Sequence, residues 1–168
     1  ASLKKGRRIE ELEQFALNDS MTGLYNRNAY NYFIYNEKNI KNYMVVTFDL
    51  NNLKMCNDNY GHSSGDAYII HSAHIIETTF DRFGKCYRIG GDEFCCLIPD
   101  ATEFQIERFI QKMQQDIAIL NNRNIIPTEV GIACGYALVT PDDTDIEKVR
   151  ERADDMMYHN KKVLKGFI

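Results

Sequence analysis

No apolar run in this 168-residue chain approaches the roughly 20 residues that a bilayer-spanning helix needs. The N-terminus also lacks the apolar centre and small-residue cleavage site of a secretory signal. Surplus positive charge is missing as well: the formal net charge is -4 and the pI is near 5.6. That balance excludes a general nucleic-acid surface, because binding a phosphate backbone needs an excess of Lys and Arg, so any nucleotide must be held by a local site. The five cysteines (Cys56, Cys86, Cys95, Cys96, Cys134) are odd in number and contain no C-x-x-C pair, which excludes the usual zinc and thiol-redox spacings. Several lie in apolar runs, where a reduced thiol packs as a small hydrophobe. These absences together predict a cytoplasmic domain with no nucleic-acid partner and no direct membrane contact of its own, whether free or as the cytosolic part of a longer, membrane-anchored protein.

A hydrophobic content of 44% is enough to bury one core at this length, so a single domain is expected. Residues 1–18 are polar, begin without methionine, and carry Ile9, Leu12 and Leu17 at helical spacing. They are read as a connecting helix or linker from an upstream sensor region, with a frayed amphipathic tail as the alternative. Residues 19–168 then form the catalytic domain. Tyr43 to Leu50 (YMVVTFDL) is β-branched and aromatic and predicts a buried strand, stopped by the polar stretch that follows. Gly65 to Phe80 has helical periodicity. Cys86 to Ile89 and Phe94 to Ile98 are short strands around Gly90 and Gly91, a diglycine that predicts a tight hairpin through positive φ. Ala101 to Asn121 and Asp145 to Leu164 predict helices, Gly131 to Val139 a strand, and Arg27 to Lys38 a further helix.

The order β-α-β-β-α-β predicts an α+β fold with a ferredoxin-like βαββαβ core, an antiparallel-centred sheet flanked by helices with extra N- and C-terminal helices. In that topology the first two strands run the same way and the third fills the gap between them. The end of the first strand, with Asp49, therefore falls at the same sheet edge as the turn carrying Asp92. A lone aspartate at a strand end is more often a cap or turn residue than a ligand. Two carboxylates at one edge, however, are what a divalent-cation site for phosphoryl transfer requires: hard oxygen ligands and room for a triphosphate.

Arg88 to Phe94 reads RIGGDEF, and with it the chain resembles the GGDEF domains, the diguanylate cyclases that condense two GTP into cyclic di-GMP. Asp19 to Arg27 (DSMTGLYNR) is similar to that family's opening D-x-L-T-G-L-x-N-R. Phe48 to Asp66 (FDLNNLKMCNDNYGHSSGD) is similar to its D-x-D-x-F-K-x-x-N-D-x-x-G-H-x-x-G-D block, and Ala153, Asp154, Tyr158 and Lys161 fit its tail. The palm-like sheet of nucleotidyl cyclases is the fold this implies. The resemblance further implies two Mg²⁺ or Mn²⁺ ions per site on Asp49, the Leu50 carbonyl, Asp92 and Glu93, with Glu93 either a ligand or the acceptor of the 3′-hydroxyl proton. Asn57 and Asp66 would read guanine, whose N1–H and amino group suit a carboxylate acceptor. Lys161 and Lys165, four apart on one helix face, would meet the β- and γ-phosphates. The implied reaction releases two pyrophosphates and needs a two-fold homodimer, each protomer bringing one GTP.

Several positions depart from the pattern. Asn51 replaces a second aspartate and so lowers the negative charge of the strand edge. Lys165 stands in place of arginine and loses its planar fork. Asn51 leaves open an alternative reading: a degenerate domain that binds GTP and regulates a partner without turnover. Many relatives also carry an R-x-x-D product site upstream of the hairpin, and the corresponding stretch here, Asp81-Arg82-Phe83-Gly84, has neither residue. Cyclic di-GMP titrated into a turnover assay is therefore expected to give no tight non-competitive inhibition; nanomolar or low-micromolar inhibition of that type would contradict the loss of this site.

Overall fold

The computed structural model describes residues 2–164. Its elements are α1 (Ser2–Leu17), α2 (Arg27–Asn36), β1 (Tyr43–Leu50), α3 (Leu53–Tyr60), α4 (His62–Phe80), β2 (Lys85–Arg88), β3 (Glu93–Pro99), α5 (Glu103–Asn122), β4 (Ile132–Leu138) and α6 (Ile146–Leu164). The four strands form one sheet in the order β2-β3-β1-β4, with β1 antiparallel to both β3 and β4 and β2 antiparallel to β3. β1 and β2 therefore run in the same direction, the arrangement expected of a βαββαβ core. No described helix is long and apolar enough to cross a membrane.

β1 is buried along most of its length because helices cover both faces of the sheet. Its alternate residues supply two cores, as the two-residue period of a strand requires. Met44, Val46, Phe48 and Leu50 join Tyr68, Ile76, Phe80, Ile106 and Met113 from α4 and α5. Val45 faces the other way, among Tyr30 of α2 and Val149 and Ala153 of α6. Thr47 and Asp49 share that second side, so the strand's terminal carboxylate lies on the face that α6 covers.

α6 lies very close to the sheet. A Cβ on Gly135 would sit 2.2 Å from the Ala153 carbonyl oxygen and 2.4 Å from Met157 N, so only glycine permits this approach. Asn160 donates from Nδ2 to the Cys134 carbonyl at 2.9 Å, which anchors the last part of the helix beside β4. All five cysteines are free and buried, consistent with a structural role.

The observed elements differ from the expected ones in several places. Residues 53–60 form α3 rather than an irregular stop, since Leu53 and Cys56 supply one buried turn-to-turn stripe that a polar sequence conceals. α4 begins at His62, three residues earlier than Gly65, and α2 ends at Asn36, two residues before Lys38. The hairpin joins Arg88 to Glu93, but Gly90 and Gly91 do not adopt positive φ; among the described residues the positive-φ glycines are Gly23 and Gly61. Residues 2–17 are helical.

Candidate active site

Strand register brings the carboxylates together. Asp49 is the partner of Glu93 on β3 and of Ala133 on β4, and Leu50 N–H donates to the Asp92 carbonyl at 3.1 Å. The turn carrying Asp92 is thus fastened to the end of β1. Lys161, reaching from α6, places its ammonium 2.5 Å from Asp49 Oδ2, with both side chains about one-fifth exposed (22% and 21%). The other Asp49 oxygen, Oδ1, is buried without a hydrogen-bond partner among the described residues. An unpaired buried carboxylate oxygen is costly in a folded chain, and this one lies beside the Asp92 carboxyl.

Asp92 responds to the same crowding. Burial, and after it the negative charge of Asp49 beside it, pushes its carboxyl above the ordinary range, with Glu93 adding to the effect. The Glu93 side chain is exposed and lies back over the turn, its Oε2 3.3 Å from where a Cβ on Gly90 would be. Among the described residues no three Asp, Glu, His or Cys side chains form a closed cation cage. Two carboxylates and a backbone carbonyl at an open strand edge are nevertheless the kind of partial set that Mg²⁺ takes, the remaining positions being filled by water and substrate phosphates. The orphaned Asp49 Oδ1 and the raised pKa of Asp92 both fit a cation at this point.

The base of the hairpin is held from the other side. Arg88 donates to Asp19 Oδ2 at 3.1 Å and to the Gly91 carbonyl at 2.9 Å, while Asp19 accepts from Thr22 N at 2.9 Å and Thr22 Oγ1 at 2.8 Å. Burial alone would raise the Asp19 carboxyl, but these hydrogen bonds and the guanidinium outweigh it and hold it below its ordinary value. Tyr25 extends the edge of β2, donating its N–H to the Cys86 carbonyl and accepting from Arg88 N–H. The opening DSMTGLYNR segment is therefore a clamp on the hairpin, and Arg88 is its ion-pair partner.

Asn57 and Asp66 sit on α3 and α4, which follow directly from the end of β1. A Cβ on Gly65 would lie 1.7 Å from Asn57 Oδ1, so the glycine preceding Asp66 leaves the space that the Asn57 amide occupies. Asp66 is exposed in the early part of α4, free to meet a ligand. Lys165 lies outside the described residues. Two features were not drawn from the sequence. Lys54 is exposed in the first turn of α3, where a helix N-terminus and an ammonium both favour an anion; the hidden helix concealed it. The loss of the R-x-x-D site has a steric side too, since a Cβ on Gly84 would approach the Leu97 carbonyl oxygen to 2.3 Å.

Comparison with known proteins places the chain among related sequences and structures. The profile described as "Diguanylate cyclase, GGDEF domain" matches residues 16–165. Diguanylate cyclase DgcN of Escherichia coli (strain K12) is 31% identical over 157 residues, which covers 90% of this chain and 38% of that protein. Cyclic di-GMP phosphodiesterase NbdA of Pseudomonas aeruginosa is 31% identical over 159 residues, covering 89% of this chain and 20% of that protein. The chain thus spans well under half the length of both relatives. Among solved structures, the coiled coil and GGDEF domain of DgcB from Caulobacter crescentus, in complex with c-di-GMP, superposes with a TM-score of 0.83 at 22% identity, covering 96% of this chain and 89% of that one.

The sign of the Asp92 shift sets a stability test. A carboxyl raised in the folded state binds its proton more tightly there than in the unfolded chain, so this group lowers stability as pH rises through its unfolded and then its folded pKa. In metal-free protein, Asp92→Asn is expected to keep or raise the thermal midpoint at neutral pH and to remove part of the fall between mildly acidic and neutral pH. A variant clearly less stable than wild type at neutral pH would mean that the Asp92 carboxylate is a structural hydrogen-bonding group.

Proposed function

The chain belongs to the GGDEF family, and from that premise we propose that it is a metal-dependent diguanylate cyclase that joins two GTP into cyclic di-GMP with release of two pyrophosphates. The observation that carries this reading is the convergence of Asp49 and Asp92, with one Asp49 oxygen left unpartnered, at the end of β1. A purely structural site has no need for two adjacent carboxylates whose mutual repulsion costs stability.

In this reading Asp49, the Leu50 carbonyl, Asp92 and Glu93 hold two Mg²⁺ or Mn²⁺ ions. When bound, such ions supply positive charge at the α-phosphate and lower the pKa of the attacking 3′-hydroxyl. Asp66 accepts from guanine N1–H and the amino group, and Asn57 completes the base contact. Lys161 exchanges its Asp49 partner for phosphate oxygens once GTP arrives, with Lys165 beside it and Lys54 at the start of α3 adding positive charge. Glu93 supplies either a further ligand oxygen or the acceptor for the 3′-hydroxyl proton. In each of two steps the 3′-oxygen of one GTP bonds to the α-phosphorus of the other, and the bond from that phosphorus to the leaving pyrophosphate breaks. The two substrates must face each other, so a two-fold homodimer assembled under an upstream sensor is part of the mechanism.

Incubation with GTP and Mg²⁺ followed by mass analysis is expected to yield cyclic di-GMP and pyrophosphate. Asp92→Ala and Glu93→Ala should each reduce turnover by about 100-fold or more, the scale of losing a charge-stabilising group. Equal conversion by wild type and both variants would show that the site is wrongly assigned, and GTP binding without product would favour the regulatory alternative.

A further inference from the structure

The phenol of Tyr68 is fully buried on α4, yet its hydroxyl reaches out of the core to backbone beside the carboxylates. It lies 2.7 Å from the Asn51 carbonyl and 3.0 Å from the Gly131 carbonyl, and it accepts from Gly131 N–H at 2.9 Å. With one proton to give, the hydroxyl donates to the nearer carbonyl or shares it between the two. Gly131 in turn accepts from Asn51 N–H at 2.8 Å. One side-chain oxygen therefore joins the residue after β1 to the residue before β4.

This link bears on the Leu50 carbonyl. Peptide bonds in the described chain contain no cis member, and in a trans peptide the N–H and C=O point in opposite directions. Because Asn51 N–H points at Gly131, the carbonyl of Leu50 in the same peptide unit points the other way. That is the side on which Leu50 N–H meets the Asp92 carbonyl, the side of the proposed cation. The peptide's orientation is fixed at its Gly131 end, and Gly131 is fixed by Tyr68. Neighbouring Val130 is also tied, donating to Asn121 Oδ1 at 2.8 Å and accepting from Asn121 Nδ2 at 3.0 Å. Space at this point is limited, since a Cβ on Gly131 would lie 2.9 Å from Asn51 Nδ2.

We propose that Tyr68 is a positioning residue for the cation site: through Gly131 and Asn51 its hydroxyl aims the Leu50 carbonyl at the ion shared with Asp49 and Asp92. The inference rests on the cyclase reading above, since it needs an ion at that edge. It predicts that loss of the hydroxyl weakens cation binding while base and phosphate recognition survive. Tyr68→Phe keeps the ring in the core and removes only the oxygen. Tyr136→Phe serves as a control, because the Tyr136 hydroxyl pairs with Glu107 on α5, away from the Leu50 peptide.

Mn²⁺ binding in the presence of α,β-methylene GTP, followed by electron paramagnetic resonance, reads the ion directly and without turnover. Tyr68→Phe is expected to raise the apparent Kd for Mn²⁺ about tenfold. Tyr136→Phe should leave it unchanged, and metal-free binding of the GTP analogue should change less than twofold in either variant. A folded Tyr68→Phe protein with wild-type Mn²⁺ affinity would overturn the inference and leave the cyclase reading intact. A parallel loss of metal-free analogue binding would also overturn it, because the hydroxyl would then be supporting the fold at large. Wild type that binds no Mn²⁺ alongside the analogue would overturn both. Independently of any variant, hydrogen exchange in wild type should find the Asn51 and Gly131 amides as protected as those in the middle of β1. Free exchange at either amide would contradict the link.

Discussion

Two carboxylates held side by side at the end of a strand repel each other, and much of this structure is arranged so that Asp49 and Asp92 stay together in spite of that. Partial burial deepens the repulsion, because less water is present to screen it. Lys161 supplies the compensating charge, and it can do so only because α6 lies against β4 with Gly135 at the point of contact and Asn160 bound to the Cys134 carbonyl. From the other side, the Asp19–Arg88 pair secures the hairpin that carries Asp92. Sheet, helix and hairpin clamp therefore serve one local arrangement, the pairing of two carboxylates at the end of β1. Carboxyls perturbed in this way by burial and a like charge cluster at functional sites.

The side of the site carrying Asn57 and Asp66 is built differently. Asn57 and Asp66 stand on two short-linked helices, and Gly65, next to Asp66, has no side chain where the Asn57 amide lies. Asp66 is exposed. In the proposed reading, base selection would rest on hydrogen-bond complementarity and triphosphate selection on the carboxylates and lysines. Gly84 gives the departure from the product-site pattern a physical basis: a side chain at that position would run into the backbone of β3, so the absence of an aspartate there is tied to how closely the neighbouring chain packs.

Much of the fold is legible in the chain because strongly periodic or continuously apolar segments have few alternatives. YMVVTFDL is one such segment, and the five core elements that follow β1's crossover helix have bounds close to those expected. The juxtaposition of Asp49 and the diglycine turn also follows from topology alone. Other features escape because they depend on contacts across the fold. α3 reads as a polar stop since its helix is stabilised by burying just Leu53 and Cys56, and with it the placement of Lys54 is hidden. Gly90 and Gly91 suggest left-handed backbone, yet the turn is made without it. Tyr68, in an apolar helical stripe, looks like an ordinary core aromatic; nothing local indicates that its hydroxyl bridges two loops. The ion pair between Lys161 and Asp49 spans 112 residues and has no local trace.

The central claim is that Asp49, Asp92 and the Leu50 carbonyl share one cation position. Anomalous X-ray scattering from crystals grown with Mn²⁺ and α,β-methylene GTP tests it most directly. The account predicts a strong peak between the Asp49 and Asp92 carboxylates, within about 2.0–2.6 Å of an oxygen from each, with Lys161 turned to the phosphates. Analogue bound with no metal at that edge, or Mn²⁺ held elsewhere by other groups, would contradict it.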